Sequence, residues 1–120
     1  MQLNFEPELC QVDDALDIIV GKWKPIILLY LLKNGTMRFS ELKRSIPDIT
    51  QKMLTKHLRE LEEEYIIDRV VYPQVPPKVE YSITDYGRTL EPILISMHEW
   101  GLKHQQYKLQ KQMEKASTAE

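Results

Sequence analysis

A chain of 120 residues, 42% hydrophobic and 28% charged with a formal net charge of −2, fits one globular domain with a single core, at a size where dimerisation often adds burial. The longest apolar run, residues 26–32 between Lys24 and Lys33, is far too short to span a membrane, and Met1-Gln2-Leu3-Asn4-Phe5-Glu6 has neither the basic nor the apolar region of a secretion signal. A lone cysteine, Cys10, excludes an internal disulfide, and together these features predict a cytoplasmic protein.

Residues 1–11 are polar and acidic and read as an N-terminal arm. Val12, Ala15, Leu16 and Ile19 recur at helical spacing, which predicts a short amphipathic helix over 12–20, ended by Gly21. Pro25 suits the first turn of a second helix running to about Lys33. Ile26, Ile27, Leu28, Leu29, Leu31 and Leu32 make that helix apolar all round, as befits the centre of a core, and Asn34-Gly35 stops it with a left-handed cap. Met37-Arg38-Phe39 is a short extended piece. Ser40 is then expected to cap a third helix over 41–46, which Pro47-Asp48 breaks. Thr50 caps a fourth helix over 51–64, with Met53, Leu54, Leu58 and Leu61 as its apolar stripe.

Residues 66–72 are rich in β-branched side chains and 79–83 alternate, so both read as strands. The six residues between them contain Pro73, Pro76 and Pro77, each fixing its own φ, and make a stiff, wing-like protrusion. Thr84 is expected to start a last helix, kinked at Pro92, with Leu90, Ile93, Leu94, Met97 and Gly101 on one stripe. Ile95, Trp100 and Leu102 lie off that stripe and leave more apolar surface than one small domain can cover. From about Gln105 the chain turns polar, and 116–120 are expected to fray. The expected organisation is therefore an arm over 1–11, one domain over 12–104 and a polar extension over 105–120, in a mainly α fold with a small β-hairpin wing.

Positive charge is concentrated in the middle of this acidic chain. Nine Lys and Arg lie between Lys22 and Arg59 against two acids, Glu41 and Asp48, a local excess of seven. A polyanion is attracted by such a patch and not by the whole-chain average, although a solvated basic face has the same composition. The helical pattern favours the first reading. Two helices joined by a tight turn, the second longer and basic at its front, form a helix-turn-helix plan. Lys52, Thr55, Lys56 and Arg59 fall at i, i+3, i+4 and i+7, opposite the leucines, with Thr50 and Gln51 at the tip that enters a major groove. Gln pairs with adenine edges, and Lys and Arg pair with guanine or phosphate. Gln51, Lys52, Thr55 and Lys56 are thus candidates for bases, Arg59 and Arg38 for phosphates, and Lys78, at the wing tip, for backbone or minor groove. Ser40 and Thr50 complete the candidate DNA-binding set. Glu60, Glu62, Glu63 and Glu64 gather at the far end of the same helix, as a solvated end or to keep negative charge from the groove.

Other chemistries find little support. No Gly-rich phosphate loop, nucleophile motif or metal-ligand spacing is present, His57, His98 and His104 are scattered, and no cofactor is expected. Trp23 and Trp100 could line an aromatic ligand pocket but are more often core. An interaction module that reuses the fold without touching DNA, or a regulator responding to a small molecule without redox chemistry, stay open as alternatives.

Several segments in order carry a family likeness: Val20-Gly21-Lys22-Trp23-Lys24, Arg38-Phe39-Ser40-Glu41-Leu42, Ile49-Thr50-Gln51-Lys52-Met53-Leu54-Thr55, Leu58-Arg59-Glu60-Leu61-Glu62, and Pro76-Pro77-Lys78-Val79-Glu80-Tyr81 followed by Thr84-Asp85-Tyr86-Gly87. Spanning about residues 10–100, this set resembles the HxlR family of bacterial transcriptional regulators, relatives of the MarR group. The resemblance implies a winged helix-turn-helix and a homodimer built from N- and C-terminal helices. It also implies a roughly palindromic operator in double-stranded DNA, which two-fold protein symmetry requires. It further implies a role for Cys10, since several relatives sense oxidants or electrophiles through a cysteine before the first helix. A helix N-terminus favours a thiolate there, while Glu6, Glu8, Asp13 and Asp14 oppose it. With no second cysteine, a Cys10–Cys10 bridge between subunits, a mixed disulfide or alkylation remain, against the plain alternative of a small side chain packed at the dimer interface.

Overall fold

A computed structural model of the chain describes residues 2–19 and 21–118, and it divides into two compact units, Met1–Arg88 and Thr89–Glu120.

In the first unit a 3-10 turn, Pro7–Leu9, precedes helix α1, Val12–Ile19. Of the expected α1 stripe only Ile19 is buried, while Val12, Ala15 and Leu16 face outward. The expected end of this helix at Val20 lies outside the described residues. Helix α2, Trp23–Asn34, begins two residues before Pro25, which sits third, in the first turn as expected and among the positions whose N–H has no intrahelical partner. Its residues Ile27, Leu28 and Leu31 are at most 1% exposed and form the centre of the core. Gly35 ends α2 at φ +75°, a left-handed conformation that a side chain would strain, and its N–H donates to the Leu31 carbonyl at 2.9 Å.

Strand β1, Met37–Arg38, leads directly into helix α3, Phe39–Ser45. The cap of α3 is Arg38, not Ser40, which occupies the helix's second position. The reason is Glu41, whose carboxylate accepts the Arg38 backbone N–H at 2.8 Å and fixes the helix start two residues earlier than expected. Helix α4, Gln51–Glu63, is capped as expected, with Thr50 Oγ1 accepting the Met53 N–H at 3.1 Å. Leu54, Leu58 and Leu61 are buried, but Met53 is 37% exposed and stands at the margin of the stripe.

The end of α4 is a Schellman turn. The Ile66 N–H donates to the Leu61 carbonyl and the Tyr65 N–H to the Glu62 carbonyl, both at 3.0 Å, with Tyr65 itself at φ +64°. Strands β2, Ile67–Tyr72, and β3, Lys78–Ile83, pair antiparallel from Ile67↔Ile83 to Tyr72↔Lys78, and β1 joins the other side of β3 to give the sheet order β1-β3-β2. Ile67, Tyr81 and Ile83 turn inward, whereas residues 73–77 project with Val75 fully exposed. The Val75–Pro76 peptide bond is cis.

Thr84 begins no helix. Its hydroxyl donates to the Tyr65 and Ile66 carbonyls, at 2.8 and 3.1 Å, and accepts the Gly87 N–H at 2.8 Å, tying the sheet's exit to the end of α4. Gly87 lies so close to the Ile66 carbonyl that a Cβ there would collide with it. The Thr84-x-x-Gly87 spacing is thus a packing device.

The second unit is one long helix, α5, Glu91–Thr118, entered from the 3-10 turn Gly87–Leu90. Pro92 is its second residue and helps to start it instead of kinking it, because no i−4 carbonyl precedes it there. The helix continues without a break past Gln105 to Thr118; Ala119 and Glu120, at the end expected to fray, lie outside the described residues. Leu94 is buried, while Ile93, Ile95, Met97, Trp100, Leu102, Tyr107, Leu109 and Met113 are exposed.

Candidate nucleic-acid interface

The site is built on α4. Three leucines hold the helix from behind at 1% exposure or less, and the Thr50 cap fixes where it begins. The helical period then forces Gln51, Lys52, Thr55, Lys56 and Arg59 onto the opposite face, where all are exposed and line one shallow open depression. The Thr55 hydroxyl donates to the Gln51 carbonyl at 2.8 Å, so its proton is committed within the helix. Lys56 Nζ lies 3.9 Å from Glu60 and remains largely exposed, free to meet a polyanion.

Around this face the other expected residues fall unevenly. Arg38 and Ser40 are exposed at the start of α3. Lys78 is not at the tip of the wing. It opens β3 at the base of the loop, half-buried, with Nζ 3.5 Å from Glu80 and 4.8 Å from the Tyr72 ring centroid. The hydrogen bond from Tyr72 to Glu80 pushes that phenol above its usual range, so Glu80 serves both neighbours.

Lys24 departs furthest from the sequence reading. It was counted in the basic patch, yet its side chain is 8% exposed and its Nζ sits 2.6 Å from Glu60 Oε2 and 3.5 Å from the Asp17 carbonyl. That hydrogen bond is the main cause that holds the Glu60 carboxyl below its usual value. A charge count along the chain stops at Arg59 and misses the neutralisation, because the partner is the next residue and lies across the fold from Lys24. His57, beside Lys56, is half-buried. Its Nδ1 has no hydrogen-bond partner, and burial lowers its pKa against the opposing pull of Glu60.

One residue escaped the linear pattern. Arg69, exposed on β2, lines a small hollow with Thr55, Arg59, Glu62 and Tyr81. Helical spacing cannot find it, since only the pairing of Arg69 with Tyr81 and the packing of the sheet beside α4 bring it there. Cys10 is partly exposed just after the 3-10 turn, with its N–H donating to the Pro7 carbonyl at 3.3 Å, two residues before α1. Trp23 and Trp100 belong to different units. The Lys22 ammonium covers the first ring at 4.7 Å, and His104 stacks on the second at 4.9 Å. Among the described residues no group of three His, Cys, Asp or Glu is placed to hold a metal, and no helix is long and apolar enough to cross a membrane.

Known proteins share this fold. Residues 18–109 match the family described as HxlR-like helix-turn-helix. The HTH-type transcriptional regulator YdeP of Bacillus subtilis (strain 168) is 56% identical over 97 residues, covering 81% of this chain and 75% of that protein. Among solved structures, the redox regulator HypR in its oxidized form aligns with a TM-score of 0.73 at 55% identity, over 78% of this chain and 96% of the other. The reduced form of the transcriptional regulator YodB from B. subtilis aligns with a TM-score of 0.68 at 35% identity, over 77% and 90%.

Proposed function

Since the chain belongs to the HxlR-like helix-turn-helix family and is a transcriptional regulator, not an enzyme, we propose that it acts in the cytoplasm as a homodimeric repressor of a pseudo-palindromic operator. The observation that carries this is the exposed face of α4, cationic and uncrowded, with leucines fixing it from behind. In this reading Gln51, Lys52, Thr55 and Lys56 enter the major groove. Arg38, Ser40, Thr50, Arg59 and the newly placed Arg69 hold flanking phosphates, and Lys78 stiffens the wing base while facing the backbone. Outward apolar side chains on α1 and on α5 supply the dimer surface.

The experiment is selection of bound duplexes from a random pool, followed by titration of the chosen operator at several salt concentrations. Lys56→Ala is expected to weaken binding and lower the log–log salt slope by about one. Unchanged affinity and slope would remove Lys56 from the interface, and a pool with no enriched sequence would end the operator reading. The neighbours HypR, a redox regulator by name, and YodB favour a second element: Cys10 as an oxidant or electrophile sensor that releases the operator.

A further inference from the structure

A lysine of the basic patch is enclosed instead, and its partner stands on α4, the helix that carries the candidate DNA-binding face. Lys24 is the second residue of α2, the end of a helix where a positive charge is disfavoured, and its side chain is nearly inaccessible. Burial there is tolerable only with a close counter-charge, which Glu60 provides at 2.6 Å. Glu60 is the residue one turn on from Lys56, next to Arg59, and its second oxygen is 3.9 Å from the Lys56 ammonium. The carboxylate therefore lies between two cations, one enclosed and one facing the groove. The enclosed one holds it closer.

We propose that Lys24 is a positioning residue of the recognition helix: by holding and neutralising Glu60 from behind, it leaves Lys56 and Arg59 free to meet the phosphates of duplex DNA. This deepens the DNA-binding reading and rests on it. Without Lys24 the Glu60 carboxylate keeps its full charge at the rim of the interface. It then pairs with Lys56 and repels the phosphates, an effect that a salt-screened contact count would not reveal. The Asp17 carbonyl, 3.5 Å from the same ammonium, makes α1 the third element joined at this point.

A double-mutant test separates the possibilities. Wild type, Lys24→Met, Glu60→Gln and the double variant are titrated with one operator fragment at several salt concentrations, and each is melted without DNA. Lys24→Met is expected to lose roughly tenfold in affinity, and Glu60→Gln in the same chain to restore it to within about threefold of wild type. Loss without restoration would make Lys24 a direct DNA contact and overturn the proposal. A lowered melting temperature with unchanged affinity would leave Lys24 a mere stabiliser and overturn it too. Should Lys24→Met fail to fold, the double variant, which buries no unpaired charge, decides. Near-wild-type affinity and salt slope support the proposal, and a slope lower by about one assigns Lys24 to a phosphate. A wild-type protein that binds no duplex at any salt concentration would fail the DNA-binding reading itself, and this inference with it.

Discussion

At the scale of single residues, two side chains carry testable chemistry apart from the basic face. Cys10 is the chain's one thiol and is partly exposed next to α1, so its oxidation cannot form an internal disulfide and leads instead to products such as an acid, a mixed disulfide or a bridge between subunits. Cys10→Ser is expected to bind the operator as wild type does but to stay bound when diamide or a quinone is added. If the variant is released as readily, the response runs through another group. His57 is the second. Burial, reinforced by Lys24 and Lys56 and opposed by Glu60, lowers its pKa from 6.5, so the folded protein binds a proton there less readily than the unfolded chain. The resulting stabilisation is complete above pH 6.5 and is lost as pH falls through the lower folded value. Thermal melting followed downward from roughly pH 7.5 should show the loss. His57→Gln should flatten it, and identical profiles for the two proteins would mean that the ring titrates as if exposed.

At the scale of elements, α4 is charged against its own dipole, with Lys52 and Lys56 toward its start and Glu62 and Glu63 at its end. A helix selected for stability alone would reverse that order. Lys52→Glu, which also gains an i,i+4 pair with Lys56, is expected to raise stability by about 0.5–1 kcal/mol while costing at least roughly tenfold in operator affinity. Calorimetry and a binding titration on one preparation check both, and a variant that gains stability without losing affinity would show that position 52 is remote from DNA. The elements themselves were legible where one local signal dominates. Thr50 before a 3.6-residue stripe, Gly35 after an apolar helix, and proline-rich residues between two β-branched runs each have a short-range cause. The errors came from causes that act across the fold. Glu41 moved the start of α3 by reaching back to Arg38. Thr84 looked like a cap but bonds carbonyls at the end of α4, and Lys24 and Glu60, which cancel, are far apart in sequence. Arg69 entered the site by strand pairing, which no helical pattern can display.

At the scale of the molecule, the exposed apolar residues of each unit are the largest unsolved debt of a single chain. In the first unit Leu3, Phe5, Val12 and Leu16 stand in solvent, and in the second Trp100 is 66% exposed and lines one open hollow with Ile93 and Met97. Isolated exposed apolar residues are ordinary, but a cluster such as Ile93, Met97 and Trp100 is of the kind that interfaces cover. Trp100→Glu is expected to turn a dimer into a monomer in sedimentation at micromolar concentration, and to weaken operator binding through the loss of the second half-site. A dimer that persists would place the subunit contact away from this part of α5. The sequence pointed to the surplus but not to its extent, because a polar stretch after Gln105 resembles a tail, whereas the backbone remains helical to Thr118.

The committed proton of Thr55 has a chemical consequence for the kind of DNA that this helix would prefer. With its hydrogen given to the Gln51 carbonyl, the side chain offers the groove a methyl group and an acceptor, but no donor. A methyl group packs against the 5-methyl of thymine and finds nothing on uracil or unmodified cytosine. Cytosine methylated at carbon 5 would offer the same hydrocarbon. If Thr55 faces a pyrimidine, occupancy of the operator is therefore coupled to the epigenetic state of the template as well as to its letter sequence.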